Sequence, residues 1–405
     1  MGSLFFINPL KQEIVETKEK HKWEEFTPVS KKEWLEKIRK DLKGRDIHDL
    51  DIKISDLVIS PFAHSDDFSV KPYPVKTGKG NWSVGEFFFI QDNDFKTANR
   101  HILHALMRGV QSPVIFSEVF PNAKQLEILL SDVELDFVAL HFSEKTGNKN
   151  PELFLETFYD YALFMNKNPE KLTGSIRFDP FADRLQEINL TLNALLFGKK
   201  YLPQFKIICI NARRFFGDAD NIVEELTQTL LACNTYFSEL TARGINTKDI
   251  ADRLMISCNI GKNYFMEIAK LRALRILWEH LLSGYMEIKT EKTAGQPKNN
   301  LTIEAHIQPQ QTIGNPHQNK ISASTQIMSA VIGGADYICT DVSTETEQSG
   351  TEAFNQRILT NVQHLLALES YFDRVADPLA GSYYVESLTN KIAEKVWENF
   401  KKSVA

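Results

Sequence analysis

The stretch FKIICIN, residues 205–211, decides the fold class because it is almost continuously apolar and β-branched. A half-exposed antiparallel strand would alternate apolar and polar residues, whereas a strand that is buried on both faces would not. The stretch DFVALHFS at 136–143 has the same character. Both stretches therefore predict strands of a parallel sheet that is covered on both faces.

Eight such segments follow one another from Gly85 onward, at 85–91, 112–118, 136–143, 174–180, 205–211, 254–260, 301–308 and 337–342. Helical periodicity follows each of them, at about 95–108, 123–131, 151–166, 181–197, 223–240, 263–284, 318–333 and 352–372. Eight strand–helix units in series predict an α/β fold, a closed (β/α)8 TIM barrel. Counting alone leaves a doubly wound open sheet as the alternative.

The helix at 223–240 shows how these elements are recognised. Its apolar residues recur at steps of three and four, Asp218 and Asp220 are candidate caps at its start, and Gly244 follows its end.

The first 70 residues do not follow the repeat. They include a helix-like stretch with Trp34, Leu35, Ile38 and Leu42, which ends at Gly44. We therefore predict an N-terminal helical and extended arm at 1–70 that packs on the barrel or on a partner. The barrel would occupy 71–386, and a charged amphipathic C-terminal helix would occupy 387–405.

Composition excludes several classes of protein. The net charge of −6 and the absence of a basic stripe argue against nucleic-acid binding. No apolar run approaches the roughly 18 residues of a membrane span, and the first residues lack a signal-peptide pattern. The four cysteines form no C-x-x-C pair, which argues against a zinc ribbon or a disulfide scaffold. A reducing cytoplasm is the expected location.

The reactive groups of a barrel come from the carboxyl ends of its strands. The polar residues predicted there are Ser117, Glu118, His141, Asp179, Asn211, Arg213, Arg214, Asn259, Lys262, Gln308, Gln310 and Asp341. One hypothesis is that Arg213, Arg214 and Lys262 grip an anion such as a phosphate or carboxylate. The alternative is that a barrel mouth is polar simply because it meets water. Spacing identifies no pair of nucleophile and base.

Two further features have the composition of a site. His306 and His317 flank a Gln-rich loop, but no carboxylate or cysteine completes a metal-ligand spacing, so no metal site is predicted. The glycine-rich stretch at 77–80 precedes a strand, which indicates a turn and not a phosphate loop.

Four stretches carry a resemblance to a known family. DRVADPLAGSYYVESLT at 373–389, NYFMEIAKLRALRILW at 263–278, parts of 316–340 and QRILTNVQ at 356–363 resemble, in order and rough spacing, motifs of the adenosylcobalamin-dependent acyl-CoA mutases. WLEKIRKDLKG at 34–44 is similar to the family's N-terminal stretch. The resemblance covers nearly the whole chain and supports the barrel.

The resemblance implies a mechanism in which cobalamin supplies radical chemistry while the protein binds and orients the substrate. In this family, acyl-CoA threads along the barrel axis, and the corrin caps the carboxyl mouth. A separate flavodoxin-like domain with a D-x-H-x-x-G signature carries the corrin. Asp46 and His48 lack the glycine of that signature, and the chain ends sixteen residues after Thr389, so we expect no cobalamin domain and no bound cofactor in this chain.

Departures from the family motifs fall on the positions expected to contact substrate. Where the family has G-Y-H, this chain has Ala212, Arg213 and Arg214, and arginine cannot replace a titrating imidazole. The stretch 76–82 stands where the family has R-Q-Y-A-G-F, and it has no tyrosine. The remaining positions of the vestigial substrate pocket are Ser322, Cys339, Arg357 and Thr360, of which only Arg357 keeps the family residue. No catalytic residue is therefore predicted.

The resemblance and the departures together predict a non-catalytic barrel subunit of a methylmalonyl-CoA-mutase-type heterodimer. A catalytic large subunit would bind adenosylcobalamin and isomerise methylmalonyl-CoA and succinyl-CoA. The arm and the helix at 263–284 are the expected contact elements, and a homodimer of the isolated chain is left open. One alternative is a barrel-only catalytic subunit that uses a separate cobalamin-binding chain. Another is an acyl-CoA-binding module without turnover, which would need an open barrel axis.

Overall fold

The computed structural model describes residues 27–54, 57–69, 74–145, 150–179, 188–215, 221–286, 301–308, 316–341 and 349–404, with only the backbone described at 316–319 and 349–353. The strands are β1 (Ile52–Ile54), β2 (Leu57–Ile59), β3 (Ser83–Phe89), β4 (Ser112–Ser117), β5 (Leu140–Glu144), β6 (Gly174–Phe178), β7 (Phe205–Asn211), β8 (Leu254–Asn259), β9 (Thr302–Ile307) and β10 (Tyr337–Thr340). The last eight form a closed barrel in the order β10-β3-β4-β5-β6-β7-β8-β9. The predicted TIM barrel is confirmed, and the open-sheet alternative is wrong.

All eight barrel strands are parallel, and the barrel closes where β10 pairs with β3. Cys339 lies opposite Gly85 at this closure. A Cβ atom at Gly85 would overlap the Cys339 sulfur, so glycine is required for the two strands to approach.

The helices are α1 (Lys31–Asp41), α2 (Phe95–Met107), α3 (Ala123–Leu129), α4 (Pro151–Phe164), α5 (Ile188–Tyr201), α6 (Ile222–Ala242), α7 (Thr247–Asp252), α8 (Tyr264–Tyr285), α9 (Pro316–Ile332), α10 (Ser349–Leu368) and α11 (Tyr383–Val404). A helix follows each barrel strand, as predicted, and α7 is an addition before β8. No helix in the described ranges is long and apolar enough to cross a membrane.

Local signals explain several helix ends. Asn122 and Gln125 form a capping box at the start of α3, and Asn150 caps α4, whose first residue is Pro151. The predicted caps of α6, Asp218 and Asp220, lie outside the described residues. Gly244 adopts a positive φ of 83° just after α6, where glycine avoids the steric penalty of a Cβ atom.

One predicted strand boundary is wrong. The apolar run from 136 predicts a strand, but Leu135–Phe137 form a 3-10 turn and β5 begins at Leu140. His141 is therefore the second residue of β5 and lies deep in the barrel, not at the carboxyl mouth.

Helix α8 is buried by the chain itself, against the prediction that it is a partner contact. It packs mainly against α11, α9 and α6, and Lys270, Arg272 and Arg275 on it are all buried. The helix is buried on most of its faces because it sits inside a helical layer of its own chain.

The cations of α8 are held by buried acceptors. Lys270 Nζ lies 2.7 Å from Glu267 Oε2 and 3.2 Å from Glu225 Oε2. Arg272 contacts Asp377 and lies 2.7 Å from Glu386 Oε1. This last pair of contacts joins the motif at 263–278 to the motif at 373–389.

The described part of the arm contains α1 and the antiparallel hairpin of β1 and β2, which the sequence did not predict as strands. Leu57 and Ile59 are buried, whereas α1 has no fully buried residue and its Trp34 packs on Phe62. Lys391 of α11 donates a hydrogen bond to the Val58 carbonyl, so the hairpin is anchored to the C-terminal helix.

Asp46 and His48 make local contacts in a 3-10 turn. The Asp46 carboxylate accepts a hydrogen bond from the His48 amide at 3.0 Å, and His48 Nδ1 lies 3.0 Å from Asp51.

Candidate functional site at the carboxyl end of the barrel

A buried ion pair occupies the barrel axis. Arg177 of β6 contacts Glu304 of β9, and their side chains are 5% and 0% exposed. Ser257 of β8 donates a hydrogen bond of 2.7 Å to the same Glu304 oxygen. Burial alone would raise the pKa of Glu304, but the adjacent Arg177 guanidinium overrides it and lowers that pKa to about 2. Glu304 is therefore ionised at neutral pH.

Aromatic rings surround this ion pair. The Arg177 guanidinium carbon lies 5.5 Å from the centre of the Phe87 ring and 5.7 Å from that of Phe116. The His306 ring packs edge-on against Phe87, with centres 4.6 Å apart. Side chains thus fill the axis at the level of Arg177 and Glu304, as in the packed interior of an ordinary barrel.

His141 lies in the barrel interior beside Ser175 and Tyr337. Its Nδ1 atom is 2.8 Å from the Ser175 hydroxyl, and its ring packs edge-on against Tyr337. Burial lowers the pKa of His141 to about 4 and raises that of Tyr337 to about 12. Both groups are therefore neutral at physiological pH.

Arg213 projects into the upper part of the barrel from a 3-10 turn, Ala212–Phe215, that follows β7. Its Nε donates a hydrogen bond of 3.1 Å to Asn211, and its Nη1 lies 3.1 Å from His306 Nδ1. His306 Nδ1 is also 2.8 Å from the Asn259 side-chain oxygen. No carboxylate in the described part of the chain lies within ion-pair distance of Arg213.

A cavity of about 260 Å³ opens at the carboxyl end, above the axial ion pair. Its lining comes from β4 to β7 and the residues that follow them: Phe116, Phe120, Ser143, Glu144, Lys145, Arg177, Phe178, Asp179, Cys209, Asn211 and Arg213. Burial raises the pKa of Cys209 to about 11, so its thiol remains protonated and is a poor nucleophile.

Arg214 follows Arg213 in the same turn but does not line the cavity. It is exposed and lies 3.7 Å from Asp179, whose carboxylate also accepts hydrogen bonds from the Asn211 amide and the Tyr236 hydroxyl. The structure does not bring Arg213, Arg214 and Lys262 together around one anion site, because Lys262 is exposed and does not line the cavity.

The other predicted pocket positions are scattered. Cys339 is buried in the barrel interior against Phe87. Ser322 is half-buried on α9, Arg357 is exposed on α10, and Thr360 is buried on α10, where its hydroxyl donates a hydrogen bond to the Gln356 carbonyl. Only Arg213 and Cys339 of the six predicted positions therefore reach the barrel interior.

The remaining predicted mouth residues make local contacts. Glu118 pairs with Lys145 at 3.0 Å, Asp341 lies 3.7 Å from His306 Nε2, and Gln308 is exposed. Gln310 lies outside the described residues, as does the side chain of His317. Within the described ranges, no group of three His, Cys, Asp or Glu side chains could hold a metal ion.

The stretch 76–82 lies at the amino end of the barrel, so its assignment as a substrate-contacting segment is wrong. Lys76 pairs with Asp336, which precedes β10, and the chain enters β3 only at Ser83. The aromatic side chain that reaches the axis from this part of the chain is Phe87, and it has no hydroxyl group.

Sequence reasoning missed Arg177 and Glu304, although a signal was present. Both are charged residues inside otherwise apolar strands, GSIRF and TIEAHI. A charge in a strand that is covered on both faces must be paired, so these two could have been predicted as partners across the barrel.

Comparison with known proteins agrees with this architecture. Residues 121–404 match the family model described as methylmalonyl-CoA mutase. A methylmalonyl-CoA mutase small subunit from Porphyromonas gingivalis is 32% identical over 95% of this chain and 64% of its own length. The small subunit from Propionibacterium freudenreichii subsp. shermanii is 29% identical over 77% of this chain and 48% of its own length.

A methylmalonyl-CoA mutase from Rhizobium meliloti is 31% identical over 68% of this chain and 39% of its own length. The chain thus spans less than two thirds of the length of each of these relatives. The family model covers more than half of the chain. The chain belongs to the methylmalonyl-CoA mutase family.

Proposed function

We propose that this chain is the non-catalytic small subunit of a heterodimeric methylmalonyl-CoA mutase and that it supports a catalytic large subunit. In that complex, the large subunit would bind adenosylcobalamin and convert between methylmalonyl-CoA and succinyl-CoA. The observation that carries the proposal is the Arg177–Glu304 pair, which fills the axis that the family uses for acyl-CoA.

The energetics of this pair favour a closed axis. A ligand that threaded through the barrel would have to displace a fully buried ion pair and the Ser257 hydroxyl that bonds it. Breaking a buried ion pair by removing one partner costs about 3–5 kcal/mol. The contacts made by a threaded ligand would have to offset this cost before the ligand bound at all.

The chemistry of the upper barrel supports the same conclusion. Arg213 stands in the segment where the family has a histidine, and an arginine does not exchange a proton near neutral pH. The titratable groups around it are poorly matched to proton transfer at that pH. The pKa of Glu304 is lowered to about 2, that of Cys209 is raised to about 11, and burial lowers that of His306.

The small-subunit names of two relatives support a partner chain. Helix α1 is the best candidate contact, because its apolar residues Trp34, Leu35 and Ile38 are only half-buried. We expect the double variant Leu35→Lys, Ile38→Lys to weaken co-purification with the large subunit. The variant Glu36→Lys, on the exposed side of the same helix, is the control, and equal loss in both would argue against α1 as the contact.

The closed axis is tested by titrating the isolated chain with methylmalonyl-CoA in a calorimeter. We expect no saturable heat at concentrations up to about 1 mM, which corresponds to a binding free energy weaker than about −4 kcal/mol. Saturable binding at micromolar concentrations would contradict the proposal.

A barrel-only catalytic subunit that uses a separate cobalamin-binding chain is the second candidate. The cavity at the carboxyl mouth is the observation that favours it, since that is where barrel enzymes bind their substrates. Turnover by this chain after addition of a cobalamin-binding chain alone would establish this second function.

A further inference from the structure

Two arginines at the base of the mouth cavity have unused hydrogen-bonding capacity. Arg177 Nη1 is buried and has no acceptor, although the other nitrogen of its fork contacts Glu304. Arg213 donates a hydrogen bond from Nε to the side chain of Asn211, and its Nη1 lies 3.1 Å from His306 Nδ1, so neither nitrogen faces a carboxylate. Both side chains line the same cavity.

Arg213 has a local surplus of positive charge beside it and no carboxylate in ion-pair contact. Arg177 and Arg213 flank the Phe87 ring, at 5.5 Å and 5.9 Å from its centre, and Glu304 contacts only Arg177. Burial and the neighbouring Arg177 charge lower the pKa of Arg213. A half-buried guanidinium without a carboxylate partner is stabilised when an anion binds beside it.

The lining also limits which anion fits. Phe116, Phe120 and Phe178 give the cavity an apolar wall, which an inorganic ion would not use. Glu144 and Asp179 also line it, so a second negative charge on the ligand is disfavoured. A water molecule occupies about 30 Å³ in the liquid, so a cavity of about 260 Å³ has room for up to about nine non-hydrogen atoms.

We propose that this cavity is a binding site for a small monocarboxylate with a short apolar chain, whose carboxylate is bound by Arg213 above the buried Arg177. The site ends at the axial ion pair, so it accepts a free acid and excludes a ligand that must continue along the axis. It is a site on the small subunit itself, and it does not depend on the partner chain. Binding there would tie β6 and β7 together at the mouth.

The test is calorimetric titration of the full-length chain with butyrate at pH 7.5 and constant ionic strength. Butyrate has six non-hydrogen atoms, and we expect saturable binding with a Kd on the order of 1 mM or tighter. Butyramide, which is the same size but neutral, and inorganic phosphate should both bind at least roughly tenfold more weakly.

Arg213→Gln should weaken butyrate binding by roughly tenfold or more, because it removes a charge-assisted contact. Lys262→Gln, which removes an exposed cation at the same end of the barrel, should leave the affinity unchanged. If Arg213→Gln fails to fold, Arg213→Lys keeps the charge without the fork and should weaken binding by a smaller factor.

The proposal is overturned if butyrate shows no saturable binding to the wild-type chain. Equal affinity for butyrate and butyramide, equal affinity for phosphate, or unchanged binding in a folded Arg213 variant would also overturn it. Because no acyl-CoA or large subunit is used, these results are independent of the test of the subunit function.

Discussion

Replacing Glu304 by glutamine tests the axial ion pair most directly. The amide of Glu304→Gln would keep the shape of the side chain and could still accept the Ser257 hydrogen bond, but the buried Arg177 would lose its counterion. Removing one partner of a buried pair typically costs about 3–5 kcal/mol. The lowering of the Glu304 pKa to about 2, chiefly by Arg177 against the opposing effect of burial, agrees in direction with this cost.

The assay is urea unfolding at pH 7, followed by circular dichroism. We expect Glu304→Gln to lower the free energy of unfolding by about 3–5 kcal/mol. Glu239→Gln is the control, because its ion pair with Arg243 is partly exposed and should be worth less than about 1 kcal/mol. The double variant Arg177→Met, Glu304→Gln should recover much of the loss, since the guanidinium that needs Glu304 as its counterion is removed as well.

The pH dependence gives a second readout with a defined sign. Because the folded-state pKa of Glu304 is lowered, its stabilisation is complete above about pH 4.5 and is lost as the pH falls toward 2. The difference between wild type and Glu304→Gln should therefore shrink below pH 4.5. A loss under about 1 kcal/mol at pH 7, or a difference that does not change with acid, would refute this account of the pair.

Three further predictions concern other buried titratable groups. Lys270→Met should lower the free energy of unfolding at pH 7 by about 3–5 kcal/mol, because Glu225 and Glu267 lose their shared counterion. An unchanged urea-unfolding midpoint would contradict this prediction. Burial exceeds the opposing effect of Lys270 and raises the pKa of Glu225 to about 7, so its stabilisation is present below pH 4.5 and lost as the pH rises through 7. Glu225→Gln should therefore flatten the pH dependence of the free energy of unfolding between pH 4.5 and 7. Burial lowers the pKa of His141 to about 4, so the unfolded chain takes up a proton before the folded chain does as the pH falls from 6.5 to 4, and the free energy of unfolding falls with it. His141→Asn should reduce this dependence of the free energy of unfolding on pH. An unchanged dependence would be evidence against the prediction.

Most of the fold could be predicted from the sequence because parallel strands that are buried on both faces leave a clear compositional signal. FKIICIN at 205–211 is a strand with the predicted bounds. The signal failed at 136–139, where the chain begins with a 3-10 turn whose Phe137 is 81% exposed, since composition does not show whether an apolar residue is buried. It also failed for β1 and β2, which have only three residues each.

The candidate site was less predictable because it depends on partners that are distant in sequence. Arg213 could be identified from its place after β7, but its neighbour His306 lies 93 residues away. Arg177 and Glu304 are 127 residues apart and carry no motif, so only the closed barrel shows that they meet. The apolar surface of helix α8 predicts a partner contact because sequence does not show that α11 covers it.

The family motifs of the C-terminal half have a structural explanation that is separate from catalysis. Arg272 in the motif at 263–278 joins Asp377 and Glu386 in the motif at 373–389. Because these contacts hold α8 and α11 together, the chain can keep the family's motifs while its barrel mouth differs. This separation is what the proposed function requires.

The central claim is that the chain supports catalysis without performing it. The most direct measurement is methylmalonyl-CoA turnover by the purified chain with adenosylcobalamin, first alone and then with its cognate large subunit, together with size-exclusion analysis of the mixture. We predict no turnover by the chain alone, and co-elution with a large subunit that is active. Turnover by this chain with only a separate cobalamin-binding protein added would contradict the claim and would show that Arg213 and the axial ion pair are compatible with catalysis.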